Sequence, residues 1–112
     1  MKKKIGDVCE VLGTLSNEHR LKAFLLLLRD ELCVCELEEI MGMKQSRISH
    51  IMNRLSAAGL VRSRREGKWV IYSAEPGAAG SPLVRALARE AELPSGYGKK
   101  LAECRRNGPR AL

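Results

Sequence analysis

Apolar side chains recur along this chain first at helical spacing and later at strand spacing. Ile5, Val8, Leu12 and Leu15 keep one face of a helix over residues 5–15. Leu21, Phe24, Leu25 and Leu28 repeat at i, i+3, i+4 and i+7, and Leu26 and Leu27 widen the stripe, so the second helix is predicted to sit centrally in the core. Ser16 or Asn17 can cap its start. Leu37, Ile40 and Met41 mark a short helix over 36–41, stopped by Gly42, and Met43 and Lys44 make a tight turn. Ile48, Ile51, Met52 and Leu55 line the inward face of a helix over 45–58, which Gly59 ends and Leu60 seals. The period then changes. Residues 61–63 and 69–73 read as strands, joined by a charged loop over 64–68 built around Gly67. Pro76, Gly77, Gly80 and Pro82 mark a loop. Leu83, Val84, Leu87, Ala88 and Ala91 form a further amphipathic helix, which Pro94-Ser95-Gly96 breaks. Residues 97–106 add a last helical turn or two, and 107–109 are expected to be loose.

A short helix, a tight turn, a second helix and a basic hairpin compose a winged helix-turn-helix, mainly α with one small β-hairpin. At 112 residues the chain is one domain, expected over 1–92, with a partly flexible C-terminal extension over 93–112.

Charge sharpens this picture. The formal net charge is +7. Between residues 44 and 72 stand seven cations, Lys44, Arg47, Arg54, Arg62, Arg64, Arg65 and Lys68, against the single anion Glu66, which places +6 in a quarter of the chain. A solvated face mixes both signs, whereas phosphate contacts need this imbalance. The outer face of the 45–58 helix carries hydrogen-bonding groups suited to base edges and phosphates. The expected DNA contacts are Lys44, Gln45, Ser46, Arg47, Ser49, His50 and Arg54 on or beside that helix, with Arg64, Arg65 and Lys68 at the wing tip. The expected partner is double-stranded operator DNA. No nucleophile–base pair and no phosphate-binding glycine loop speak for an enzyme, and no organic cofactor is expected. No aliphatic run is long enough to span a bilayer and no apolar signal stretch follows Met1–Lys4, so the expected location is the cytoplasm.

In that reducing setting four cysteines are free thiols, ligands or sensors rather than bridges. Cys33 and Cys35 stand two apart in ELCVCEL. In a helix such a pair diverges by about 200°, whereas in extended backbone it points one way. Both thiols can therefore clamp one ion only where residues 33–35 are extended or the helix start is distorted. Thiolates select soft ions: trivalent arsenic and antimony take three sulfurs, while zinc takes four ligands and accepts histidine.

ELCVCEL at 31–37, MKQSRISHIMNRLSAAGLV at 43–61 and RREGKWVIYSA at 64–74 resemble the ArsR/SmtB family of bacterial metal-sensing repressors, and within it the arsenite- and antimonite-responsive branch. The resemblance runs from about Leu12 to Ser73. It implies a homodimer made by the first and last long helices, here 5–15 and 83–91. It implies an operator held without inducer and released when As(III) or Sb(III) binds. Related arsenite sensors often carry a third cysteine three residues after the pair, and here that position is Glu38. The expected ligands are therefore Cys33, Cys35 and Cys104, with Cys9 as the alternative third. Cys104 is favoured because its segment reads as polar and mobile, and because Arg105 and Arg106 would stabilise its thiolate. Members that recruit an N-terminal cysteine sense cadmium or lead, which keeps a four-thiol site with Cys9 in view. The zinc, nickel and cobalt branches use histidines and carboxylates on the last helix, and residues 83–93 contain no histidine and no aspartate. Two further readings remain: a redox sensor joining Cys9 or Cys104 to Cys33 or Cys35, and a constitutive DNA-binding protein.

Overall fold

The computed structural model describes residues 4–110. Seven helices and three strands follow in the order α1 (Ile5–Leu15), α2 (Glu18–Arg29), β1 (Leu32–Cys33), α3 (Val34–Met41), α4 (Gln45–Ala57), β2 (Val61–Glu66), β3 (Trp69–Ala74), α5 (Pro76–Ala79), α6 (Pro82–Glu90) and α7 (Tyr97–Asn107). This is a winged helix-turn-helix, with α3, the turn at 42–44 and α4 as the motif and β2–β3 as the wing.

The helix boundaries have local causes. Asn17 caps α2, its side-chain oxygen accepting from the Arg20 N–H at 3.1 Å. Gly42 closes α3 in the left-handed region at φ 65°. At the end of α4 the Leu60 N–H donates to the Leu55 carbonyl and the Gly59 N–H to the Ser56 carbonyl, both at 3.0 Å, with Gly59 at φ 74°. Those two bonds are a Schellman ending, and Leu60 folds back into the core as that motif requires.

Phe24, Leu26, Leu37, Ile40, Ile48, Met52 and Leu55 are fully buried, so α2, α3 and α4 share one core. The central position expected of α2 is what the structure has.

Three features differ from the sequence expectations. Residues 64–66 are strand rather than loop: β2 pairs with β3 out to Glu66 opposite Trp69, leaving only Gly67 and Lys68 in the turn. Gly67 takes φ 58° while Lys68 stays at negative φ, which suits a tight two-residue hairpin with glycine first. Secondly, Leu32 and Cys33 add a third strand, pairing antiparallel with Tyr72 and Ile71, in the order β1-β3-β2. Two residues are too short for periodicity to reveal. Thirdly, 97–107 is a full three-turn helix packed on α3. Its Leu101 and Cys104 join the same core as α2–α4.

α1 leaves an apolar stripe uncovered. Ile5 is 83% exposed and Leu12 47%. With Val8 and Val11 this face borders a groove completed by Leu60, Pro82, Leu83 and Val84.

Candidate metal-ion and DNA-binding site

The Cys-Val-Cys stretch lies across a change of backbone. Cys33 is extended, at φ −83° and ψ 168°, because β1 pairs it with Ile71. It is also the N-cap of α3, which places Cys35 in the helix's first turn. The helix thus begins at Val34, two residues earlier than expected. The irregular start that a two-residue thiol spacing demands is present here, as a strand-to-helix junction. Glu36, three residues into the helix, reaches back so that its Oε1 accepts from the Cys33 N–H at 2.8 Å. That is the carboxylate half of a capping box.

Cys33 is buried and Cys35 exposed. Both line one cavity of about 280 Å³, together with Glu38, Gln45, Lys68 and Trp69. Gln45 opens α4, and Lys68 is the turn of the wing, lying 4.8 Å over the Trp69 ring. One cavity therefore touches the thiol pair, the start of α4 and the tip of the wing. Burial pushes the Cys33 thiol up, and the negative charge of Glu36 adds to the shift.

The structure does not bring the other cysteines to this pair. Cys104 was expected in a mobile basic tail, but it is 3% exposed in the core. It borders a separate cavity with Asp30, Leu32, Glu36, Arg105 and Arg110. Its thiol is pushed up, first by burial and then by Glu39, Glu36 and Glu103. Arg105 and Arg106 do not stabilise a thiolate there: Arg105 binds Asp30 at 2.6 Å and Arg106 binds Glu103 at 3.2 Å. Cys9 is exposed on α1. Among the described residues no three His, Cys, Asp or Glu side chains are placed to hold one metal ion.

Residues 30–36 are instead braced by arginines that sequence reasoning did not connect to them. Arg64 forks onto Glu31, with both bonds at 2.7 Å, and also donates to Glu66 at 2.8 Å. Arg110 donates to Glu36 Oε1 at 2.9 Å and to the Glu31 carbonyl at 3.1 Å. Glu36, 3% exposed, thus has a cationic partner and a backbone donor. The spacing of Glu36 after Cys33 was the available signal for its capping role. Nothing local marks Arg110, which arrives from 74 residues away.

The basic face is displayed as its pattern implies. Lys44, Gln45, Ser46, Arg47, His50 and Arg54 are exposed and Ser49 is half-buried, while Ile48, Ile51, Met52 and Leu55 turn inward. Arg65 and Lys68 project from the wing. Arg64 is exposed too, but its guanidinium is committed to Glu31 and Glu66.

Residues 17–63 match the model of a family described as bacterial regulatory protein, arsR family. The chain is 33% identical over 90 residues to a cadmium resistance transcriptional regulatory protein, a CadC homolog, of Staphylococcus aureus, covering 80% of this chain and 74% of that one. It is 39% identical over 67 residues to the arsenic resistance transcriptional regulator ArsR1 of Pseudomonas putida, covering 59% and 52%. The chain spans about half the length of its arsenic-resistance relatives. Among solved structures, a homodimeric winged helix-turn-helix DNA-binding domain of Mycobacterium bovis superposes with a TM-score of 0.68 at 31% identity, over 77% of this chain and 82% of that one. These three are regulators or DNA-binding domains, not enzymes.

Proposed function

The chain belongs to the arsR family of bacterial regulatory proteins, and we propose that it is a dimeric repressor that leaves its operator when trivalent arsenic or antimony binds Cys33 and Cys35. The observation that carries this reading is the shared cavity, in which the two thiols lie against Gln45 and Lys68. Gln45, Ser46, Arg47, Ser49 and His50 contact base edges, while Lys44, Arg54, Arg65 and Lys68 contact phosphates.

The chemistry of the donors fits a soft ion in part. Cys33 and Cys35 supply two sulfurs, and Glu38 stands on the same wall. The ion's role is to draw the two thiolates together. Cys33 is tied to β3 through β1, whereas Cys35 moves with α3. Drawing them together therefore tilts α3 against the sheet, and α4 follows through their common core. A coupling of about 1–3 kcal/mol per site weakens DNA binding about 5- to 150-fold. Cys104 becomes the third sulfur only if α7 shifts.

Cadmium is the second reading. It is favoured by the relative with the longer match, whose name carries cadmium resistance, and by the exposure of Cys9 on α1. The uncovered stripe of α1 and the groove beside α6 form the dimer interface, which gives Cys9 a route to a partner's thiol pair.

The test is DNA release from the reduced protein. Cys33→Ser should abolish release by arsenite while leaving DNA affinity intact. Undiminished release from that variant contradicts the assignment. Loss of the response in Cys9→Ser, with Cys104→Ser behaving as wild type, selects the cadmium-type arrangement.

A further inference from the structure

Away from the thiol cavity, a second cleft lies between the start of α2 and the outer face of α4. It is lined by Asn17, His19, Arg20, Arg47, His50 and Ile51. Both histidines of the chain meet there with two arginines, although they are 31 positions apart in sequence. Among the described residues no carboxylate lines the cleft. The nearest acid in sequence, Glu18, is engaged outside it with Lys22 at 3.6 Å. Arg20 is positioned rather than free-swinging: its Nε donates to the Thr14 carbonyl at 2.7 Å and one terminal nitrogen reaches the Gly13 carbonyl at 3.5 Å. His19 lines the cleft with Nδ1 buried and without a hydrogen-bond partner, so Nε2 is the nitrogen left to meet a ligand. The amide ends of α2 add a positive dipole to the same end of the cleft.

We propose that this cleft seats a backbone phosphate of the bound duplex, adding Asn17, His19 and Arg20 to the DNA-contacting surface. The inference rests on the DNA-binding reading above. Arg47 and His50, which face bases, border the cleft from α4, so a phosphate held beside them by Asn17, His19 and Arg20 fixes how that helix enters the groove. Phosphate contacts position a protein on DNA without reading sequence, so the effect appears on any duplex.

The direct experiment follows the imidazole nitrogens of the reduced 112-residue chain by long-range 1H–15N NMR during titration with a short random-sequence duplex. His19→Gln assigns the two rings. The His19 Nε2 signal should move and saturate together with DNA binding. In parallel, Arg20→Gln should make the plot of log affinity against log salt shallower by about one. If the duplex binds and the His19 signals stay in place at saturation, the cleft is outside the interface and this inference falls while the DNA-binding reading stands. Absence of duplex binding by the wild type removes both. A His19 response to inorganic phosphate that the duplex fails to reproduce makes the cleft a site for free anions and overturns the proposal. Because the NMR arm uses the wild-type chain, a folding defect in Arg20→Gln does not affect it.

Discussion

Cys33 and Cys35 differ in almost every respect that governs thiol reactivity. Cys33 is buried beside the Glu36 carboxylate, and its thiol is pushed up. Cys35 is exposed two residues later. Reactivity follows thiolate fraction and access. In the reduced protein iodoacetamide should therefore modify Cys9 and Cys35 well before Cys33 and Cys104, as read by mass spectrometry of timed digests. Early labelling of Cys104 would contradict its place in the core. The arginines of the wing are similarly unequal. Arg64 is spent on Glu31 and Glu66, whereas Lys68 lies over Trp69 and has no carboxylate bond among the described residues. Lys68→Ala should weaken duplex binding and flatten its salt slope by about one, and Arg64→Ala should change the slope much less. The Arg64–Glu31 pair is about half exposed, so solvent screens it and it adds little to stability on its own. Arg64 holds Glu31 below the usual carboxylate range. A depressed folded value means stability that is present at neutral pH and fades as pH falls through the carboxylate range.

At the scale of elements, α7 carries the clearest consequence. Leu101 is 6% exposed among core side chains. Leu101→Ala should cost about 2–5 kcal/mol in urea unfolding, whereas a loose extension would show no effect. Gly59→Ala, which places a Cβ at φ 74°, should cost about 1–2 kcal/mol through strain alone. The helices that bury a broad stripe were legible in the sequence, because α2 and α4 repeat their leucines, isoleucines and methionine at 3.6-residue spacing. Gly42 and Gly59 were legible as stops because only a left-handed residue closes those helices. The charged stretch 64–66 was not legible as strand. Its side chains face solvent on both sides, so no alternation survives, and pairing with β3 alone makes it extended. For α7 the sequence shows mostly charge, and the two buried positions, Leu101 and Cys104, mean little until α3 stands opposite. The same gap hid the separation of Cys104 from the thiol pair: spacing places Cys33 beside Cys35, but nothing in it locates a residue 69 positions away.

Over the whole molecule, two surfaces face outward with opposite character. One is the basic face of α4 and the wing. The other is the apolar stripe of α1, with Leu83 of α6 38% exposed beside it. A domain of this size gains stability by covering such a stripe. Leu12→Glu combined with Leu83→Glu should leave the fold intact, since both side chains are exposed in the protomer. It should shift sedimentation from dimer to monomer and weaken operator binding. A dimer expects half-sites about 34–36 Å apart, one turn of DNA. The thiol cavity is bounded by α3, the start of α4 and the wing, and the proposed link runs from an ion bound there by sulfur to the DNA contacts. The measurement that addresses this link most directly is fluorescence anisotropy of a labelled duplex taken from upstream of the gene. It is bound by the reduced protein and titrated separately with arsenite, cadmium and zinc. The account predicts release by arsenite, or by cadmium if Cys9 completes the site, no release by zinc at the same concentrations, and loss of the response in Cys33→Ser. A duplex that stays bound through all three titrations, or that Cys33→Ser still releases, would contradict it.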